Sequence, residues 1–258
     1  MSERVELLDH GYLELVEAWG SDERIIEAAR MSTGKGFMGW GPVCACGQRT
    51  IDDPRACPND NGNGYGGHTF VAGDEKLLRY LWTNKHHTPF EMAGATFEVQ
   101  APIMVFREWH RHRTQSYNEM SARYTPLPDV NYIPSLDRLM VGSDSKNKQA
   151  GAIKGADSLN PSRAEYFRST IKDIYRFLED SYQAALSDGV PKELARLIIP
   201  VGRYSRMRAS ANLRNWLGFL KLRMATDAQY EIRVYAQALC GILQKHFPRT
   251  MELFMEGK

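Results

Sequence analysis

The sequence predicts an α+β fold: a mixed or antiparallel sheet packed with long helices, in one domain spanning residues 1–258. Three observations carry that prediction. Residues 96–101 alternate, with Phe97, Val99 and Ala101 on one side and Thr96, Glu98 and Gln100 on the other, as in a half-buried strand. Phe167, Ile171, Ile174, Leu178, Tyr182 and Ala185 recur at spacings of three and four, as on one face of a long helix. Strands and helices do not alternate regularly along the chain, which disfavours a doubly wound parallel sheet.

Taken in order, residues 5–8 and 12–16 read as short strands around a His10-Gly11 turn. Ser21 can cap a helix running through Ile25, Ile26, Ala28 and Ala29 and ending near Met31-Ser32. A stretch near residues 34–68 is rich in Gly, Pro, Asn and Asp without apolar period and reads as an inserted loop. From Asp74, Leu77, Leu78, Leu81 and Trp82 line a helical face. His86-His87-Thr88-Pro89 breaks that helix, because the residue before proline is pushed away from helical conformation. The strand at 96–101 ends at Pro102, which is tolerated in the first turn of a helix over Ile103–Trp109.

Residues 141–161 form a second aperiodic insertion, rich in Gly, Ser, Lys and Asn. The long helix that follows stops at Gly189. Pro191 opens a short helix through Leu194 and Leu197. Residues 204–213 fit a strand of poor period, and residues 214–223 look helical through Leu217, Leu220 and Leu222. A last helix is expected from Thr226, where Gln229 three residues on suggests a capping box. It carries Ala228, Ile232, Tyr235, Leu239, Ile242 and Leu243 toward the core.

Composition excludes several function classes. With 43% hydrophobic and 25% charged residues the chain has ordinary globular character. A net charge of +2 makes no case for nucleic acid or a membrane surface as partner. No apolar run approaches the roughly 20 residues needed to span a bilayer, and the N-terminus lacks a secretory pattern. A cytoplasmic protein is expected, so Cys44, Cys46, Cys57 and Cys240 are read as thiols or metal ligands rather than disulfides. Cys240, beside Leu239 and Leu243, reads as a small buried hydrophobe. Cys44, Cys46, Cys57 and His68 supply four candidate zinc ligands, but their spacing fits no standard finger. No metal is therefore assigned.

Chemistry concentrates in residues 111–124, Arg-His-Arg-Thr-Gln-Ser-Tyr-Asn-Glu-Met-Ser-Ala-Arg-Tyr. This polar segment follows the apolar run Pro102 to Phe106, which can anchor it. It contains arginine but no lysine, and the planar guanidinium fork suits a phosphate or carboxylate held bidentately. A small-molecule anion site is one reading. A solvated basic loop and a nucleic-acid backbone patch are the alternatives, although Glu119 lies among the arginines. A second set, Arg196, Arg203, Arg206, Arg208, Arg214 and Arg223, raises the same choice.

Arg111-His112-Arg113, seven residues, then Ser121, with Ser116, Asn118, Glu119, Arg123 and Tyr124 in register, resembles the signature of the flavin-dependent thymidylate synthases. Similarity runs from the N-terminus through Phe247, interrupted by the two insertions. The resemblance implies FAD held by Ser32, His86, Thr88, Arg111, His112, Arg113, Asn118, Glu119, Asn212 and Arg214. It implies deoxyuridylate (dUMP) held by Glu108, Arg111, Glu119, Ser121, the Ala122 backbone, Arg123, Tyr124, Arg196 and Arg223. Arg223 matches the residue that activates the uracil. Glu108 stands where the family commonly has glutamine; an ionised carboxylate cannot donate there. Gly218 and Asp227 depart from a common asparagine and histidine.

The family reaction methylates dUMP reductively to thymidylate (dTMP), with methylenetetrahydrofolate and NADPH as co-substrates. No cysteine stands near the arginine-rich segment, so a cysteine nucleophile is not expected. A homotetramer with active sites shared between subunits is implied. A nucleic-acid-binding protein, or a flavoenzyme methylating another pyrimidine nucleotide, remains the alternative.

Overall fold

A computed structural model of the chain describes residues 3–41, 43–44, 70–141 and 159–257. In chain order these form β1 (Arg4–Leu7), β2 (Gly11–Trp19), α1 (Asp22–Arg30), β3 (Val43–Cys44), β4 (Phe70–Val71) and α2 (Asp74–Thr83). β5 (Gly94–Pro102), α3 (Ile103–Trp109), β6 (Ser116–Glu119), α4 (Leu136–Leu139), α5 (Pro161–Ser187) and α6 (Lys192–Ala195) follow. The chain then runs through β7 (Tyr204–Asn212), α7 (Leu213–Arg223), α8 (Tyr230–His246) and α9 (Pro248–Glu256). The fold is α+β, as the sequence predicts. Both predicted insertions fall mainly outside the described residues, as do Cys46, Cys57 and His68; of Cys44 only the backbone is described. Among the described residues no helix is long and apolar enough to cross a membrane, and no three His, Cys, Asp or Glu gather in a metal-binding group.

The described chain divides into two compact units. The first comprises Met1–Glu17, Thr96–Ala211 and Leu217–Ile242 and holds most of a five-stranded sheet ordered β1-β2-β5-β7-β6. The predicted first hairpin forms, with Leu7 opposite Gly11 and Arg4 opposite Glu14. β5 buries Phe97, Val99 and Ala101, the side its alternation assigned inward. β7 buries Met207, Ala209 and Ala211 and exposes Arg206 and Arg208. Its alternation is real but weak in sequence, because two of its inward residues are only alanine. Helices close on this sheet through aromatic contacts: the Trp109 ring meets Phe219 at 4.6 Å and Tyr235 at 6.3 Å between centroids. Cys240 is buried on α8, as expected.

Two helix readings need correction. α8 begins at Tyr230, not Thr226. Gln229 accepts from the Arg233 amide at 3.0 Å and spends its side-chain amide on Glu231 at 2.9 Å, so no capping box forms at Thr226. α5 buries only Ala164 and Tyr182; Phe167 and Ile174, on its periodic stripe, are exposed. The helix does end as read, with Gly189 at φ +81°, a left-handed conformation that glycine adopts without a Cβ clash.

The second unit comprises Ala18–Ala95, Asn212–Trp216 and Leu243–Lys258. Ser21 caps α1 by accepting from the Arg24 amide at 3.3 Å. Asp74, fully buried at the start of α2, accepts from the amides of Met38 and Gly39 at 2.6 and 3.1 Å and pairs with Arg30. Its neighbour must be glycine: a Cβ on Gly73 would sit 1.8 Å from the Gly41 carbonyl oxygen. Ile25, Ile26, Leu78, Leu81, Phe90, Trp216, Phe247, Met251 and Phe254 are buried here. Trp82 meets Phe90 and Phe254 edge-on. α9, absent from the sequence reading, completes this unit.

Candidate functional site

α3 follows directly on Pro102, the residue at its N-cap, whose missing N–H costs nothing at a helix start, and turns one stripe into the core through Val105, Phe106 and Trp109. Trp109, fully buried, donates from its indole to Gln115 Oε1 at 3.0 Å. The Tyr117 hydroxyl donates to the carbonyls of His112 at 2.7 Å and Trp109 at 3.2 Å. These bonds bend the Arg-His-Arg turn into one shape. Burial pushes the Tyr117 phenol up to about 12, so it stays a neutral donor. Arg111 and Arg113 point to solvent on either side of His112 and pair with no carboxylate among the described residues.

β6 then pairs antiparallel with β7, placing Asn118 opposite Arg208 and Glu119 opposite Met207. The strand was hidden in sequence by its polar residues. Immediately after it the chain turns, with the Tyr124 amide bonding the Ser121 carbonyl at 3.0 Å. Arg123 Nε lies 3.4 Å from Ser121 Oγ, and its guanidinium lies 5.2 Å from the Tyr124 ring centroid.

A cavity of about 630 Å³ opens in the first unit beside this turn. Glu119, Ser121, Ala122 and Arg123 line one side and Arg196 another. Arg107 and His110 complete its polar rim, over a floor of Ile103, Phe106, Leu127 and Ile199. Sequence reasoning missed Arg107 and His110. The signal was present: Ile103, Phe106, Arg107 and His110 follow the i, i+3, i+4, i+7 stripe of one helix face, and all four line the cavity. His110 is held there by a stacked Phe106 ring and an edge-on Tyr117 ring. Three exposed guanidiniums and a hydroxyl around an apolar floor suit a phosphate with an organic body attached.

Glu108, Arg111, Tyr124 and Arg223, the other predicted nucleotide contacts, do not line this cavity. Tyr124 is 74% exposed. Glu108 follows Arg107 by one residue on α3 and so faces away from it. It meets Arg223 at the end of α7 instead. Arg223 donates from Nη1 to Glu108 Oε2 at 2.7 Å, from Nη2 to the Glu108 carbonyl at 3.0 Å, and from Nε to His112 Nε2 at 2.9 Å. His112 also lies edge-on to Phe219 at 4.8 Å. Burial, reinforced by the Arg223 charge and opposed by Glu108, pushes the imidazole down to about 4. It is therefore a neutral acceptor at Nε2.

The remaining predicted flavin contacts lie in the second unit. Ser32 donates to the Ala29 carbonyl at 3.1 Å. His86 is exposed and edge-on to Tyr80, and Thr88 opens a 3-10 turn over Thr88–Glu91. Asn212 accepts from the Asn215 amide at 3.0 Å at the start of α7, and Arg214 pairs with Glu91. A Cβ on Gly218 would meet nothing within 4 Å, so the departure from asparagine there is not imposed by packing.

A family model described as "Thymidylate synthase complementing protein" matches residues 14–249. The chain is 34% identical over 251 residues to a flavin-dependent thymidylate synthase of Ehrlichia ruminantium (strain Gardel), covering 97% of this chain and 72% of that one. It is 34% identical over 252 residues to the flavin-dependent thymidylate synthase of Thermosipho africanus, covering 97% and 93%. Among solved structures it resembles the UMP/dUMP methylase PolB from Streptomyces cacaoi bound with 5-Br dUMP. That match has 28% identity and a TM-score of 0.73, over 98% of this chain and 97% of that one. The Arg-His-Arg turn and a near full-length match converge on one assignment, which selects an enzyme over a nucleic-acid-binding protein: the chain belongs to the flavin-dependent thymidylate synthase family.

Proposed function

We propose that the chain acts as one catalytic domain converting dUMP to dTMP, with methylenetetrahydrofolate as carbon donor and NADPH as reductant through FAD. The observation that carries this reading is the cavity where Arg107, Arg123 and Arg196 converge with Ser121. Their donors match a phosphate monoester, and the apolar floor suits the nucleoside behind it.

The donor set also fits FAD. Arg111 and Arg113, exposed and paired with no carboxylate among the described residues, offer guanidiniums to a diphosphate; His112, Asn118 and Glu119 are the other flavin contacts that the resemblance implies in the first unit, and Ser32, His86, Thr88, Asn212 and Arg214 those in the second. Bound flavin would supply the redox chemistry; the protein supplies positioning and electrostatics. Arg223 is the residue assigned to the uracil. A permanently charged guanidinium next to the ring carbonyls stabilises negative charge developing in the ring, which makes C5 nucleophilic without a cysteine. Because Glu108 and Arg223 do not line the phosphate cavity of their own chain, the reading includes a homotetramer whose sites are completed by a second copy. A cytosolic setting suits these charged co-substrates.

A second reading, methylation of UMP or a related pyrimidine nucleotide, is favoured by two observations. Glu108 replaces the family glutamine, and the chain resembles a UMP/dUMP methylase. One assay tests both readings: purified protein is given FAD, NADPH, methylenetetrahydrofolate and an equal mixture of dUMP and UMP, and the products are separated. Formation of dTMP supports the first reading, and a 5-methyl ribonucleotide as the main product selects the second. No methylated nucleotide from either overturns the proposal.

A further inference from the structure

Arg223 is only 16% exposed at its side chain, and three of the five N–H donors of a guanidinium are already engaged inside the chain. Two of those bonds go to Glu108, one to its carboxylate and one to its backbone carbonyl. The third goes to His112, which contributes no charge of its own. Glu108 is therefore the sole anionic partner of Arg223 among the described residues. The Glu108 side chain is 42% exposed, and its second oxygen, Oε1, has no partner among the described residues. An ionised carboxylate there can accept a hydrogen bond but cannot donate one.

We infer that Glu108 is a positioning residue and the internal counter-ion of Arg223: it fixes the guanidinium and limits how much positive charge reaches a pyrimidine ring. This rests on the reading that Arg223 faces the uracil. The physical consequence has a definite sign. An anion beside a cation weakens the field the cation projects, and the free Glu108 oxygen repels a ring that becomes negative. Both effects oppose ionisation of the ring. Glutamine at the same position would keep the shape, carry no charge and add a donor, so both effects would favour ionisation. Glu108 thus trades some activation of the ring for a fixed guanidinium. His112, held neutral, orients the same guanidinium without adding to its charge.

The test uses 5-bromo-dUMP, whose halogen acidifies the ring N3–H; loss of that proton to solvent changes the ultraviolet spectrum. Flavin-loaded wild type, Glu108→Gln and Arg223→Ala are each titrated with pH. Difference spectra are taken against the same protein without nucleotide. The partial exposure of Glu108 makes the glutamine variant compatible with the fold, and retained flavin absorbance verifies it. The expected result is bound N3–H ionisation about one pH unit or more lower in Glu108→Gln than in wild type, and higher in Arg223→Ala. If Arg223→Ala raises it while Glu108→Gln leaves it unchanged or raises it, the counter-ion role is overturned and the Arg223 reading stands. If Arg223→Ala causes no shift, the reading of Arg223 against the uracil fails, and this inference with it.

Discussion

Arg223 donates from Nε to His112 Nε2 across 2.9 Å, so that nitrogen must be unprotonated and the ring must carry its proton on Nδ1. The imidazole is held down to about 4 from its ordinary 6.5, by burial first and the Arg223 charge second. The unfolded chain therefore binds more protons than the folded one between those values. Stability contributed by neutral His112 is present above 6.5 and is lost as pH falls toward 4. Thermal midpoints measured across this window should rise with pH, and His112→Gln should flatten the rise. Identical slopes for the two proteins would contradict this account of His112.

Arg223→Ala should retain bound flavin and lose turnover by about 100-fold or more, the scale for removing a group aimed at developing charge. Turnover is measured as dTMP formation with flavin absorbance as the control. Near-normal rates would remove Arg223 from its assigned role.

Arg107→Ala and Arg123→Ala should each weaken dUMP binding about 10-fold or more, since a charge-assisted hydrogen bond contributes about 1.5–3 kcal/mol. Ser121→Ala should weaken it less. Equilibrium titration measures each dissociation constant. An unchanged value for Arg107→Ala would exclude that residue from the phosphate end of the cavity.

Arg203 is 1% exposed and joins the segment before β7 to α5, donating to the Pro128 carbonyl at 2.9 Å and pairing with Glu179. Arg203→Met would leave the Glu179 carboxylate, itself largely buried, without its cation and held only by the Gln183 side-chain amide at 2.7 Å, and should cost about 3–5 kcal/mol. Denaturant unfolding measures it. A loss below about 1 kcal/mol, typical of surface pairs, would show that Glu179 finds water instead.

The parts of this fold written in apolar residues were legible in the sequence. β5 announced itself because Phe97, Val99 and Ala101 alternate with polar residues, and α1 because Ser21 precedes an apolar stripe. β6 was hidden because Ser116, Tyr117, Asn118 and Glu119 form a strand by pairing with β7 rather than by burying a face. The first turn assigned to α8 failed because Gln229 bonds Glu231, a local competition that periodicity does not register. In the site, the residue types of the Arg111 turn were readable, whereas the partner of Arg223 was not. Glu108 and His112 stand far from Arg223 in sequence and meet it only through the packing of α3 and α7. Arg107 and His110 carry no motif of their own and become site residues only because the α3 face they share with Ile103 and Phe106 lines the cavity.

Flavin bound next to the nucleotide is read from the visible absorption spectrum of the purified protein, recorded before and after adding dUMP. The expected spectrum has flavin bands that shift when the nucleotide binds, because cofactor and substrate would occupy adjoining parts of one site. A protein that shows no flavin bands, and acquires none after incubation with FAD, would contradict it.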